Sequence, residues 1–166
     1  MNSLNKFNKR SYKLTTTTNS DLYSIAIKLK IKLNGIYMKD EIPTDLKEGN
    51  YIINLQNSYE NGSHWTCFIK DKKNIYYYDS FGVVPPQNIY NISVKNSLNL
   101  YYIDKHDQNL DATSCGYWCI AFLYFMNNTK GPMLNNMKKF DKKFNNKNRK
   151  ENEIELKKYI DKIYFK

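Results

Sequence analysis

The feature that most constrains this chain is a polar loop that turns abruptly into a long apolar run. The loop spans residues 107–114, and the run over residues 115–126 is apolar on nearly every side when it is written as a helix. Such a helix is buried inside a domain. Three residues before it are candidate N-caps, because their side-chain oxygens accept hydrogen bonds from free backbone N–H groups: Asp111, Thr113 and Ser114. The pattern predicts a buried helix that begins at Cys115.

Cys115 would lie in the first turn of this helix, where unpaired N–H groups and the positive end of the helix dipole favour a negative charge. A thiol in that position is shifted toward the thiolate, which is the form that attacks carbonyl carbons. Most free cysteines are ordinary buried side chains, so this stretch alone leaves a nucleophile and a core residue equally open. Cys67 and Cys119 are predicted to be core residues, and three cysteines without framework spacing indicate a reducing compartment.

The net charge of +10 is concentrated near the two ends of the sequence. The first fourteen positions carry four basic residues and no acid, and the segment 138–150 carries seven basic residues and one acid, while the middle is close to neutral. Basic ends are typical either of a protein that binds a polyanion such as DNA or of solvated tails that keep a chain soluble. No apolar run approaches the roughly 20 residues of a membrane helix, and no signal peptide is recognisable, so neither membrane insertion nor secretion is expected.

The order of the predicted elements indicates one α+β domain. Residues 1–18 are predicted to be a basic, flexible tail, and residues 19–166 a single domain with a basic helical C-terminal extension from about residue 130. Within it, the periodicity predicts helices at 21–32, 86–97, 115–126, 133–144 and 153–165, and strands at 51–56, 64–70, 75–79 and 100–104. Residues 25–33 also alternate as a strand would, and the segments 35–43 and 45–50 are predicted to be connections. We therefore predict a central, mostly antiparallel or mixed sheet flanked by helices.

A base for the thiol is predicted at the open end of a hairpin. A thiol nucleophile needs a base, usually histidine, and the base needs an acceptor that orients it. If residues 64–70 and 75–79 form a hairpin, His64 and Asp79 become neighbours across its outer end. His106 is the competing base, although no orienting partner marks it. An aspartate at a strand end is often only a turn residue, so the pair gains weight from its combination with Cys115.

Gln108 lies seven residues before Cys115, on the same loop. A neutral amide donor there can point at an oxyanion beside the backbone N–H of Cys115. Such a donor stabilises a transition state by about 3 kcal/mol. The alternative is a solvated loop residue.

These motifs together resemble the adenovirus-type cysteine proteases, which are related to the SUMO proteases and to the proteases of virophages and Maverick/Polinton elements. The matching residues are His64-Trp65, Asp79-Ser80-Phe81-Gly82, and Gln108 with its seven steps to Cys115-Gly116. The resemblance covers about residues 20–126, and the segments 34–41 and 51–56 are similar to the virophage branch. Asp79 fits the SUMO proteases, since the adenovirus enzymes carry glutamate there, whereas the spacing of seven fits the adenovirus enzymes.

The resemblance implies a role for each matching residue. Cys115 would be the nucleophile, at the N-terminus of a buried central helix, and His64 the base. Asp79 would orient His64, and Gln108 would contribute to the oxyanion hole. Trp65 would pack beside the catalytic ring or in the core, and the residues expected to contact substrate are Trp65, Ser114 and Gly116. No metal and no cofactor are expected for the chemistry.

The function implied by the resemblance is that of a viral cysteine endopeptidase that processes capsid precursors during virion maturation. The enzyme would act as a monomer in the virion and in the virus factory of the infected cell, with DNA or a capsid-derived peptide as activators. The alternatives are a protease that removes ubiquitin or SUMO from host conjugates and, in another class, a basic DNA-binding capsid component with a degenerate site.

Overall fold

The computed structural model describes residues 13–61, 63–145 and 147–166. Five helices and five strands are described in this part of the chain, with a short 3₁₀ turn at Lys39–Glu41. In chain order they are α1 (Asn19–Lys28), β1 (Leu33–Met38), β2 (Gly49–Asn54), β3 (Trp65–Lys70), β4 (Asn74–Tyr78), α2 (Gln87–Lys95), β5 (Asn99–Tyr102), α3 (Cys115–Asn128), α4 (Met133–Lys143) and α5 (Arg149–Tyr164).

The five strands form one mixed sheet in the order β1-β2-β3-β4-β5. The central pairs, β2 with β3 and β3 with β4, are antiparallel, and the outer pairs, β1 with β2 and β4 with β5, are parallel. The predicted α+β class with a mixed sheet flanked by helices is confirmed. The β3–β4 hairpin closes at Asp71, whose carboxylate accepts hydrogen bonds from the backbone N–H groups of Lys73 and Asn74 at 2.8 Å each.

Alternation along the strands divides the core into two layers. On one face, Cys67, Ile69 and Tyr78 pack against α1, α3, α4 and α5. On the other face, Phe68 and Tyr77 belong to a smaller cluster that α2 closes with Ile89 and Ile92. The hairpin that carries the predicted histidine and aspartate therefore has side chains packed on both of its faces.

Helix α3 is buried almost all around, as its apolar sequence predicted. Its Phe122 ring stacks on the ring of Tyr78 from β4, with centroids 4.9 Å apart. Ser114 is the N-cap residue of α3, but its side chain makes no capping hydrogen bond. Its hydroxyl donates instead to Glu153 Oε2 at 2.7 Å. The helix start is thus tied to α5.

The N-terminal part of the fold differs from its prediction in two places. Helix α1 ends at Lys28 rather than Lys32, and Lys30 adopts a left-handed conformation with φ 57° before the chain enters β1. Strand β1 was predicted as a connecting segment. Its sequence is not strongly apolar, and it gains its partners by parallel pairing with β2.

The end of the predicted tail belongs to the folded domain. Thr17 is buried, and Thr18 caps α1 through a hydrogen bond from the Asp21 N–H to its side chain at 3.2 Å. Leu14 packs against the main core cluster. Residues 1–12 of the predicted tail lie outside the described residues.

The two C-terminal helices are part of the main core rather than an extension of it. Phe140 of α4 meets the Tyr78 ring edge-on at 5.2 Å, and Leu156 and Ile160 of α5 are fully buried in the same cluster. Helix α5 begins at Arg149, four residues before its predicted start, because Asn148 caps it by accepting a hydrogen bond from the Lys150 N–H at 3.0 Å. In the part of the chain that is described, no helix is long and apolar enough to span a membrane.

Candidate active site

The outer end of the β3–β4 hairpin brings His64 and Asp79 together. His64 immediately precedes β3 and Asp79 immediately follows β4, and the antiparallel register places their side chains side by side. His64 Nε2 lies 2.8 Å from Asp79 Oδ1. The Asp79 side chain is fully buried, so its carboxylate faces the imidazole without competition from solvent.

The turn after Asp79 fixes both members of this pair. The backbone N–H of Phe81 donates to Asp79 Oδ1 at 2.8 Å, and the Phe81 ring stacks on the His64 ring with centroids 4.7 Å apart. Gly82 follows with φ 69°, and a Cβ built on it would lie 2.7 Å from the carbonyl carbon of Lys105. Glycine is required at this position because the turn needs both a positive φ and a close backbone approach.

Cys115 lies at the start of α3, facing the end of the hairpin. Its Sγ accepts a hydrogen bond from the backbone N–H of Trp65 at 3.5 Å, and the thiol lies close enough to His64 to raise the pKa of the imidazole. Because His64 Nε2 faces Asp79, Nδ1 is the ring nitrogen left for the thiol. The carboxylate, imidazole and thiol therefore stand in line, the arrangement that activates a thiol for nucleophilic attack.

The structure raises the pKa of His64 to about 9. Burial alone would lower it, but hydrogen bonds to Asp79 and Cys115 and the negative charge of both partners outweigh burial. His106 behaves in the opposite way, since burial and the positive charge of Arg149 lower its pKa. The protonated, positively charged form of His64 is thus stabilised beside Cys115, where it can form an ion pair with a thiolate.

We expect the two histidines to titrate on opposite sides of their ordinary pKa of 6.5, with His64 near 9 and His106 below 6.5. Because folding raises the His64 pKa, protonated His64 adds to the free energy of unfolding. This contribution is fully present below pH 6.5 and is lost as the pH rises through about 9. A pH titration of the ring Cε1–H signals by two-dimensional NMR measures the pKa values of both histidines, and a His106→Gln variant assigns the two signals. A His64 midpoint at or below 6.5 would contradict the ion-pair geometry.

Gln108 is held rigidly beside the same site. Its Oε1 accepts a hydrogen bond from Ser80 Oγ at 2.6 Å, and its Nε2 donates to the Ala112 carbonyl at 2.7 Å. One N–H of the amide is then left to point at a ligand. The N–H of Cys115, in the first turn of α3, has no partner within the helix. The two donors are the components of an oxyanion site.

A cleft of about 800 Å³ opens over these side chains. It is lined by His64, Trp65, Gln108 and Cys115. Its walls come from the segment before α1, from the loop 112–113, and from four residues between β2 and β3: Ser58, Glu60, Asn61 and Ser63. Trp65 is also anchored, because its indole N–H donates to the Thr17 carbonyl at 3.0 Å. An extended chain laid in this cleft would pass over the thiol.

Other residues named from the sequence lie elsewhere. Ser114 is fully buried and bonded to Glu153, and Gly116 lies beneath Thr17, whose Oγ1 would be 2.0 Å from a Cβ at that glycine. Neither lines the cleft, so the structure gives no support to their predicted contact with substrate. His106 meets the edge of the Phe81 ring at 5.2 Å and does not line the cleft either.

Two residues that support the site carried no assigned role in the sequence. Ser80 was visible only as part of a motif, yet it holds the Gln108 side chain, and its carbonyl accepts the N–H groups of Asp107 and Gln108 at 2.9 and 3.0 Å. Glu153 lies on α5, and its carboxylate reaches the loop that carries Gln108 and the helix that carries Cys115. No local pattern in the sequence indicates the role of Glu153.

Comparison with known proteins finds similarity at the level of solved structures. No protein-family model matches the chain, and neither does any curated protein sequence. Similar solved structures include two crystal structures of the ASFV pS273R protease, one of them of the Se-Met protein, each with 14% sequence identity. Their TM-scores are 0.49 and 0.48, over 80% of this chain and 68% of that chain. The assignment of the site rests on the geometry of its side chains.

Proposed function

We propose that this chain is a viral cysteine endopeptidase that processes capsid precursor proteins during virion maturation. The observation that carries the proposal is the hydrogen-bonded pair of Asp79 and His64 beside Cys115, with Gln108 lining the same cleft. The viral and capsid elements rest on the resemblance of these motifs to the adenovirus-type proteases. The open cleft over the thiol suits a polypeptide substrate.

In the proposed mechanism, the Cys115 thiolate attacks the scissile carbonyl carbon and the carbonyl oxygen becomes an oxyanion. The Gln108 amide and the N–H of Cys115 donate to that oxyanion. Protonated His64 gives its proton to the leaving amine as the C–N bond breaks, which leaves an acyl-enzyme. Neutral His64 then takes a proton from water, whose attack releases the acid and restores the thiolate. The ion pair with Asp79 supports the charged imidazole in both half-reactions.

The basic C-terminal region supports DNA as a second partner. Seven basic side chains between residues 138 and 150 are exposed, and the acid among them, Asp141, is paired with Lys105 at 3.1 Å. Such a surface binds a polyanion through its charge and not through base sequence. We propose that it holds the enzyme on packaged DNA in the virion and in the virus factory, as a monomer. We assign no metal or cofactor to the chemistry.

Co-expression tests the proposal directly. The chain, and its Cys115→Ala form, would be expressed with the major capsid protein of the same genome, with and without DNA added to the lysate. The intact mass of the capsid protein should fall only with the native chain, and the new terminus identifies the cleavage site. An intact capsid protein in every arm would contradict capsid processing. Labelling of Cys115 by ubiquitin or SUMO electrophilic probes would then favour removal of those modifiers.

Replacing Gln108 with alanine is expected to lower kcat by roughly 10²- to 10³-fold, because one oxyanion donor is lost while the thiol and imidazole stay in place. Alkylation of Cys115 by iodoacetamide forms no oxyanion, so its rate should change little. Gln56→Ala on the loop beyond β2 is a matched control. Equal losses in hydrolysis and alkylation would show that Gln108 acts on the thiol and not on the oxyanion.

A further inference from the structure

We propose that Glu153 is a positioning residue that fixes the two oxyanion donors, Gln108 and the N–H of Cys115, without lining the cleft itself. This inference rests on the proposed function. Glu153 lies in α5, far in sequence from the residues that form the cleft, and it does not line the cleft. Its carboxylate nevertheless joins the two segments that supply the oxyanion donors. The role is to hold the loop of Gln108 at a defined distance from the start of α3.

The carboxylate of Glu153 accepts three hydrogen bonds from those two segments. Oε1 accepts from the backbone N–H of Asn109 at 3.0 Å and from the indole N–H of Trp118 at 3.2 Å. Oε2 accepts from Ser114 Oγ at 2.7 Å. Asn109 follows Gln108 directly, Ser114 precedes Cys115 directly, and Trp118 lies one turn further along α3. One side chain therefore spans the gap between the two oxyanion donors. We call the Glu153 carboxylate with these three hydrogen bonds the brace.

Neighbouring residues of α5 hold the other side of the same loop. Asn152 Nδ2 donates to the Asp107 carbonyl at 3.2 Å, and Arg149 Nε donates to the His106 carbonyl at 3.2 Å. The backbone is thus held immediately before and immediately after Gln108. From the opposite side, Ser80 holds the Gln108 side chain. The first turns of α5 and the turn after β4 fix the amide between them.

The chemical identity of the side chain matters because all three partners at position 153 donate. A carboxylate only accepts, and hydrogen bonds to a charged acceptor are stronger than neutral ones. Glutamine keeps the Oε1 acceptor for Asn109 and Trp118, and its amide can donate to the Ser114 hydroxyl oxygen. Alanine removes all three bonds. Because a displacement of about 1 Å at a donor costs about 10²-fold in rate, loosening this loop should lower acyl transfer.

The test separates acyl transfer from attack on an alkyl halide. With p-nitrophenyl acetate, the thiolate adds to the ester carbonyl, the oxyanion collapses, and p-nitrophenolate leaves with the electron pair of the broken C–O bond. The acetyl group stays on Cys115 as a thioester and is read by intact mass. Iodoacetamide alkylates the same thiolate by displacing iodide, and no oxyanion forms. Only the first reaction needs the geometry that Glu153 is proposed to set.

For Glu153→Ala we expect acetylation to slow by about 10- to 100-fold, with alkylation changed less than about 3-fold. Glu153→Gln should recover most of the acetylation rate. The matched control is Glu155→Gln on the same helix, since Glu155 pairs with Lys158 at 2.7 Å on the exposed face, and both of its rates should equal those of the native chain. If the alanine variant fails to fold, Glu153→Asp keeps the charge but is too short to span both segments, and it should show the same selective loss.

Three results would overturn the inference. Acetylation of Glu153→Ala at the native rate would show that the brace is dispensable. A parallel fall of acetylation and alkylation would show a general structural role. If the native chain is alkylated at Cys115 but never acetylated, the proposed function fails and the inference with it. The native arm therefore distinguishes failure of the function from failure of the brace.

Discussion

Alanine at position 115 is expected to reduce hydrolysis by on the order of 10⁵- to 10⁶-fold, the largest effect of any single change in this chain. No other described thiol can replace Cys115, because Cys67 and Cys119 are both buried in the core. Burial raises the pKa of Cys119 well above its usual value, so that thiol stays protonated and inert. Hydrolysis of p-nitrophenyl acetate and intact mass after iodoacetamide treatment measure the loss.

Cys119→Ala is the matched control for this prediction. Cys119 lies one helical turn after Cys115 on α3 and is 1% exposed, against 7% for Cys115. Its replacement should lower Tm while acetylation and a single alkylation event at Cys115 persist. Hydrolysis by the Cys115→Ala chain at more than a trace, or loss of alkylation in the Cys119→Ala chain, would place the nucleophile elsewhere.

Replacing Asp79 with asparagine is expected to lower kcat by about 10⁴-fold, the second largest effect. The change removes the negative charge that offsets the cost of burying the charged imidazolium, so the His64 pKa should fall from about 9. An asparagine amide that turns its NH₂ toward His64 would also favour the wrong tautomer of the ring. The pH dependence of kcat/KM and the NMR titration of His64 report the two consequences separately.

The control for Asp79 lies at the other end of the same hairpin. Asp71→Asn changes a carboxylate that serves the β3–β4 turn, so it should leave kcat and the His64 titration at their native values. A kcat loss below about 10-fold in Asp79→Asn, with the His64 midpoint unmoved, would mean that the buried carboxylate does not support the imidazole.

The hairpin pairing and the start of α3 were predictable because each depends on short-range pattern. Two strands joined by a tight turn must bring their outer ends together, which placed His64 beside Asp79. An apolar run as long as residues 115–126 after a polar loop favours a buried helix over a strand, which placed Cys115 in its first turn. The α+β class with flanking helices followed from the order of the predicted strands and helices.

The parts that could not be predicted depend on partners distant in the sequence. Strand β1 is only partly buried and has no periodic pattern, and its pairing is decided by β2. The end of α1 lies in a segment whose alternation also suits a strand, and Lys30 ends the helix through its backbone conformation. Glu153 meets Ser114 across 39 residues, and nothing near either residue indicates the contact.

The brace also has a consequence for the order in which the enzyme becomes competent during translation. Glu153 follows Cys115 by 38 residues. At about 5 to 20 residues added per second, a ribosome makes Glu153 roughly 2 to 8 seconds after Cys115. During that interval the nascent chain already carries its thiol but lacks the side chain that sets the oxyanion geometry. In the proposed enzyme, we expect efficient acyl transfer only after α5 has been synthesised and has docked on the core.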